Sequence, residues 1–371
     1  MDTRVLEVMI PYFVEHFGNA GSINHLYGWE AESAIKLARQ TLGEAIGASP
    51  EEIIFTSGAT EANNLALKGV AESYFSQGRH IITVATEHRA ILDPCQYLEN
   101  LGFRVTLLPV KPDGLIDLEA LEKALREDTI LVSVMAANNE IGVLQPLVEI
   151  GEICRRHNVL FHSDAAQALG KIPLNVETMN LDLMSLTAHK VYGPKGIGAL
   201  YVRRRNPKVR LAPQMHGGGQ ERGLRAGTLY TPQIVGLAKA VSLALDELET
   251  EALRQIQLRE RLWDKLSQLE GIHRNGHWQQ RLPGNLSVSV EGVDGSALLL
   301  GMTSLVALSS GSACSSSSRT PSHVLKALGH SDSLAYASLR FGLGRFNTLE
   351  EIEQAGDLAI ATIVSLRRAW S

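Results

Sequence analysis

Between Glu51 and Arg204, short apolar runs alternate with longer stretches of helical periodicity. Ile53-Ile54-Phe55 reads as a strand that hands over to a helix from Thr60. His80 to Thr86 and Phe103 to Leu108 read as two more strands. Ile130 to Met135 and Val159 to His162 continue the series, with a charged amphipathic helix over Pro146 to His157 between them. Asp182 to Leu186 and Ile197 to Val202 complete it. Strands this apolar, separated by helices, predict a mainly parallel sheet covered on both faces. In such sheets ligands sit beyond the carboxyl ends of the strands.

From Pro232 to about Leu269 the pattern is helical with hardly a breaker, long enough to bridge two domains. Alternation of the β type restarts over Gly284 to Val290, and a helix over Leu349 to Trp370 closes the chain. A large domain over 16–249 is expected, with 1–15 and 250–371 forming a smaller α+β domain. The one low-complexity patch, Ser309 to Ser318, reads SSGSACSSSS, and no internal repeat is found.

Composition narrows the class. In 371 residues, 44% apolar and 20% charged content is that of a folded globular protein and excludes a disordered one. A formal charge of -5 gives no electrostatic reason to expect nucleic acid as a partner. Cys95, Cys154 and Cys314 are too few and too scattered for a disulfide framework or a zinc site, which fits a reducing compartment. The opening MDTRVLEVMIPYF is acidic at once and lacks the apolar core of a secretory signal. No run approaches the ~20 apolar residues of a membrane span. A cytoplasmic protein without a membrane partner is expected.

Several strand ends carry chemistry. TAHKVYGPKGIGALYV places Lys190 just after a strand, with Thr187 and His189 as donors suited to a phosphate and Gly193, Gly196 and Gly198 allowing close backbone packing. Alone, a lysine there is an ordinary solvated residue; with these neighbours it suits an amine that forms an imine with an aldehyde cofactor. In TSGATEANN, Gly58 permits a tight turn and the amides of Ala59 and Thr60 would open a helix toward an anion, although an ordinary helix cap reads equally well. It is neither a Walker A loop nor a dinucleotide fingerprint. HSDAAQALG ends an apolar strand at Asp164, whose buried carboxylate needs a cation; a protonated pyridine nitrogen is one such partner. Gln167 lies one helical turn on and could reach the ring's phenolic oxygen. His88, in TEHRAIL, follows another strand and is either a structural histidine or a residue stacked on a ring. Asn139, in MAANNEIGVLQP, reads otherwise as an asparagine turn. HGGGQERGLRAGT, from His216 to Thr228, suits anion contact or a flexible loop.

Taken in order, TSGATEANN, EHRAIL, NNEIGV, SDAAQ, the HKVYGPKG stretch, GGGQERGLRAGT, SSGSAC and LRFGLGRF resemble the motifs of the cysteine desulfurases of the NifS/IscS type, over nearly the whole chain. The resemblance implies an α/β fold of the fold-type I pyridoxal-phosphate transferases, with a mainly parallel, mixed seven-stranded sheet. It implies Lys190 as the Schiff-base lysine, His88 as the stacking residue, Asp164 at the pyridine nitrogen and Gln167 at the phenolic oxygen. Ala59, Thr60, Thr187 and His189 would hold the phosphate of pyridoxal 5'-phosphate, with Thr228 supplied by the second subunit of a homodimer. Asn139 and Arg340 would grip the carboxylate of L-cysteine. Cys314 would take its sulfur as a persulfide, His88 moving protons and alanine leaving. Acceptor proteins such as an iron–sulfur scaffold or a tRNA-thiolation relay would receive that sulfur.

Two departures from the family stand out. Thr187 replaces the usual serine and keeps its hydroxyl. Family members begin with a strand ending in an Ala-Ala-Thr-Thr-Pro segment that lines the site; this sequence starts just after it, so one wall of the pocket is expected to be missing. A selenocysteine lyase, or a scaffold of the same fold with impaired catalysis, are the rival readings. Cys314 sits among serines and a glycine with almost nothing apolar to bury it, so a swinging loop is expected, with residues 315–319 poorly ordered when no partner is bound.

Overall fold

A computed structural model describes residues 1–303, 306–309 and 321–370. It divides into two compact units. The larger comprises 1–108, 118–136 and 146–248, the smaller 109–117, 137–145 and 249–371.

The larger unit is built on seven strands: β1 (Ile53–Thr56), β2 (His80–Val84), β3 (Arg104–Leu108), β4 (Thr129–Ser133), β5 (Leu160–Asp164), β6 (Leu183–Thr187) and β7 (Gly198–Val202). Their order in the sheet is β1-β7-β6-β5-β4-β2-β3. β7 runs antiparallel to both of its neighbours, while the pairs from β6 to β3 are parallel. Six of the strands are buried throughout, as apolar runs without alternation require; the edge strand β3 is not. The expected mixed, mainly parallel sheet is thus present, flanked by α1 (Thr3–Met9), α2 (Pro11–Val14), α3 (Leu26–Ile46), α4 (Ala59–Ser73), α5 (Arg89–Asn100), α6 (Leu118–Ala124), α7 (Leu147–Arg156) and α8 (Thr231–Asp246). One core cluster joins Leu65, Leu67 and Val70 of α4 to Ile81, Leu131, Leu183 and Leu200 of the sheet.

The smaller unit holds α9 (Leu248–Leu266), which starts at the boundary, β8 (Ile272–Arg274), β9 (Asn285–Val290), α10 (Gly295–Met302), α11 (His323–Ala327), α12 (Asp332–Tyr336), β10 (Ser338–Gly342) and α13 (Leu349–Trp370). Its sheet has the order β10-β9-β8 and is antiparallel throughout. Leu286, Val288 and Val290 of β9 pack with Leu262, Leu298 and Ile363 into a second core.

Two expectations are corrected. Residues 1–15 belong with the larger unit, because Val5 and Met9 are buried on α8: the Met9 sulfur lies where a side chain on Gly236 would begin, 2.5 Å from such a Cβ. Asp2 also donates its N–H to the Tyr192 carbonyl at 2.9 Å. The helix expected over Pro232 to Leu269 is two helices, parted at Glu247, whose backbone leaves the helical region at φ -102°, ψ 2°. Its carboxylate receives Arg4 Nη1 at 2.7 Å, a tertiary tie that no local pattern shows. Among the described residues no helix is long and apolar enough to cross a membrane.

Candidate active site

Register brings the first part of the site together. Thr56 of β1 and Thr187 of β6 both pair with Gly198 of β7, so the three lie in one row at the carboxyl ends of β1 and β6. Beyond Thr56, Gly58 takes φ 153°, which L side chains rarely adopt, and starts α4 with no side-chain cap. Gly198 makes this approach possible: a Cβ there would stand 2.4 Å from the Leu186 carbonyl oxygen and 2.7 Å from Gly58 Cα. Thr187 Oγ1 meets His189 Nδ1 at 3.0 Å and lies 3.8 Å from where a Gly58 Cβ would be. Uncapped amides at the start of a 15-residue helix, a hydroxyl and an imidazole thus converge, which is an anion-receptive arrangement.

The next strand over, β5, ends in Asp164. The side chain is buried; Oδ2 accepts from Asn63 Nδ2 at 2.7 Å and Oδ1 from the Ala166 N–H at 2.9 Å. Burial raises its pKa, while those two bonds and the charge of His88 pull the other way. Glu87, also buried, is raised well above the carboxylate range, first by burial and then by Asp164, although its Oε1 accepts the Met135 N–H at 2.6 Å. His88 caps α5: its Nδ1 accepts the Ala90 N–H at 3.0 Å, which puts the proton of the neutral ring on Nε2.

Lys190 ends a single 3-10 turn, Ala188–Lys190, directly after β6, and is exposed together with His189. Gln167, half-buried after β5, accepts from Lys171 Nζ through Oε1 at 3.2 Å. Lys171 is pushed down to about 8, mainly by burial and then by the charge of Lys190. Ala59, Thr60, Asp164, Gln167, Thr187, His189 and Lys190 therefore all lie at or just after the carboxyl ends of β1, β5 and β6.

In the smaller unit, Arg340 of β10 donates Nη1 to the Asn139 carbonyl at 2.8 Å, so the two residues expected to bind a carboxylate are adjacent. The contact uses the Asn139 backbone and leaves its amide for other work. Glu140, the next residue, is buried and accepts from Ser322 Oγ at 2.5 Å; burial pushes it up to about 7 against the pull of Ser322 and Arg340. Ser322 also caps α11.

The two arginines of the glycine-rich loop are structural. Arg225 pairs with Glu61 at 2.8 Å, and Arg222 donates to the Ile53 carbonyl at 2.9 Å. Glu221, between them and the sheet, is buried, takes both Arg39 nitrogens at 2.6 and 2.9 Å and accepts the Phe55 N–H at 2.7 Å. Thr228 is exposed. Cys314 and the loop expectation for 315–319 lie outside the described residues. Sequence reasoning missed Asn63, Glu87, Glu140, Lys171 and Glu221. All but Lys171 lie inside the quoted motifs, but only their burial and partners reveal what they do.

Residues 1–355 match the aminotransferase class-V family, and the chain belongs to that family. It is 54% identical over 369 residues to a cysteine desulfurase IscS of Aeromonas hydrophila, covering 99% of this chain and 91% of the relative. It is also 54% identical over 368 residues to a mitochondrial cysteine desulfurase of Arabidopsis thaliana, covering 99% and 81%. Among solved structures, a NifS-like protein superposes with a TM-score of 0.91 at 40% identity, over 99% of this chain and 97% of that one. A structure described as SspA in complex with cysteine gives 0.82 at 40% identity, over 94% and 97%.

Proposed function

We propose that the chain is a pyridoxal-phosphate-dependent cysteine desulfurase, which takes the sulfur of L-cysteine onto Cys314 and releases L-alanine. One observation carries this reading. An anion-receptive helix start, a buried carboxylate and a lysine gather at neighbouring strand ends, in a chain 54% identical to a curated cysteine desulfurase.

The residues fit the cofactor. Asp164 is pressed toward its neutral form by burial, and a cation against it would reverse that pressure. Asp164 would pair with the protonated ring nitrogen, Gln167 with the phenolic oxygen, and His88 would lie on the ring face. Ala59, Thr60, Thr187 and His189 would hold the phosphate, and Lys190 the aldehyde carbon. Thr228, exposed here, is available to a second copy, which is the basis for a homodimer. Pyridoxal phosphate, when bound, supplies an electron sink for charge left on the substrate α-carbon.

Arg340 and Asn139 would orient cysteine by its carboxylate, Arg through a planar fork that suits two-point contact. The Lys190 amine would take the α-proton. His88, with Nδ1 held by Ala90, would exchange protons with the substrate thiol through Nε2. The Cys314 thiolate would attack the substrate sulfur. An S–S bond forms as the C–S bond breaks, and the three-carbon remainder takes up protons and leaves as alanine. The persulfide would then pass to an acceptor in the cytoplasm, an iron–sulfur scaffold or a tRNA-thiolation relay.

The test is direct. Protein incubated with cysteine should form alanine and carry one extra sulfur on Cys314, and borohydride should fix the cofactor to the Lys190 peptide. Lys190→Ala should form no alanine while remaining folded, and Cys314→Ser should keep the cofactor but gain no sulfur. Alanine formation by Lys190→Ala at the parent rate would overturn the reading.

A further inference from the structure

We propose that Lys171 is a positioning residue of this site: its ammonium binds the carbonyl oxygen of Gln167, so that the Gln167 amide presents its N–H2 group, and its charge stands beside the Lys190 amine. The inference rests on the reading above, in which pyridoxal phosphate is joined to Lys190.

The backbone brings together the two segments that carry the lysines. After β5 the chain makes one helical turn, the N–H groups of Ala168 and Leu169 both donating to the Ala165 carbonyl. Gly170 then adopts φ 67°, and a Cβ on it would stand 2.6 Å from Val191 Cγ2 and 2.7 Å from Ala244 Cβ. The turn thus needs glycine twice over, for its left-handed backbone and for its contact with the residue that follows Lys190. Lys171 comes next and swings back along the turn to Gln167, Nζ to Oε1 3.2 Å.

An ammonium has donors and no acceptor, so its partner on an amide is the oxygen. That contact settles which way the Gln167 amide faces, and a glutamine that must donate to a phenolic oxygen is thereby held ready to do so. Without it, the amide could turn over and offer its carbonyl, which repels such an oxygen.

Charge is the second effect. Lys190 acts on Lys171, and repulsion between like charges is mutual. His189 feels the same cluster, lowered by burial and then by Lys190 and Lys195. A lysine nitrogen that must take up and release a carbonyl carbon works only after losing a proton, and a neighbouring ammonium favours that loss. Lys171 itself remains a donor whether charged or neutral, so the hydrogen bond to Gln167 persists as its charge fades.

The two effects separate by substitution. Visible absorbance of the holoenzyme, followed against pH, reads the midpoint at which the nitrogen joining Lys190 to the cofactor loses its proton. Lys171→Met should raise that midpoint by about one pH unit and weaken cofactor retention several-fold. Lys171→Gln, which keeps a donor for Gln167 but no charge, should raise the midpoint as far while retaining the cofactor. Lys171→Arg, which keeps charge and donors, should restore the parent midpoint. Equal midpoints in the parent, the Gln and the Arg variants would overturn the inference, even if the Met variant fails to fold. A parent protein with no visible absorbance, and no borohydride-fixed adduct on Lys190, would instead overturn the cofactor reading on which the inference depends.

Discussion

Asn63, from the second turn of α4, donates to the Asp164 carboxylate at the end of β5 across 2.7 Å, and both side chains are buried. This bond links the helix whose start would face the phosphate to the carboxylate that would face the ring nitrogen. It also opposes the upward pressure that burial puts on Asp164. Asn63→Ala removes the donor and shifts Asp164 further toward its neutral form, in which it pairs poorly with a cation. Cofactor affinity should fall about tenfold, the ~1.4 kcal/mol expected of one hydrogen bond to a charged group. Equilibrium titration of the cofactor-free protein checks it, and an unchanged affinity would refute the role.

Gly198 tests the start of the same helix. A methyl group there meets backbone on both sides, the Leu186 oxygen at 2.4 Å and Gly58 Cα at 2.7 Å, and neither can rotate away. Gly198→Ala should therefore displace the start of α4 from Thr187. Overpacking of this kind costs about 1–3 kcal/mol in stability. The more specific outcome is weaker binding of inorganic phosphate and of the cofactor, with the Asp164 side of the site intact.

Much of this was legible in the chain. Apolar runs without alternation announce buried strands, and two of them end in polar residues, Asp164 and Thr187, that are buried against hydrogen-bond partners. What was hidden depends on distant partners. Arg4 holds Glu247 where one helix becomes two, and the dockings of Met9 on Gly236 and Asp2 on Tyr192 assign the N-terminus to the larger unit. Neither can be seen by periodicity, which reads neighbours along the chain. Glu87, Asn63 and Lys171 were visible as letters within motifs or beside them, yet their roles follow from burial and from who faces them. The loop arginines Arg225 and Arg222, in a stretch that reads either as an anion contact or as a flexible loop, are held by Glu61 and the Ile53 carbonyl.

Arg340 carries a prediction about specificity. Its Nη1 is committed to the Asn139 carbonyl at 2.8 Å, which fixes the plane of the guanidinium. Arg340→Lys loses the fork and the bracing contact together, because an ammonium is a single point of charge. The Michaelis constant for cysteine should rise by roughly 10- to 100-fold, with a smaller effect on the maximal rate. Steady-state kinetics over a range of cysteine concentrations separates the two parameters. A loss confined to the rate would show that Arg340 does not bind substrate.

Glu140 makes the smaller unit sensitive to pH. Burial pushes its carboxyl up from 4.5 to about 7, with Ser322 and Arg340 pulling it down. A carboxyl whose pKa is raised by folding adds stability while it is protonated in both states, below 4.5. That contribution is lost as pH climbs through about 7, since the folded protein must then hold a buried charge that the unfolded chain gives to water. The interval amounts to ~3 kcal/mol at about 1.4 kcal/mol per pH unit. Glu140→Gln removes the titration and keeps a partner for Ser322 Oγ, which caps α11. Variant and parent should match in urea midpoint below pH 4.5, and the variant should be the more stable above pH 7, with the difference opening between those values. Fluorescence of Trp263 and Trp278, whose rings lie 6.1 Å apart in the same unit, reports the unfolding. Parallel curves across the range would show that Glu140 is not a buried titrating group.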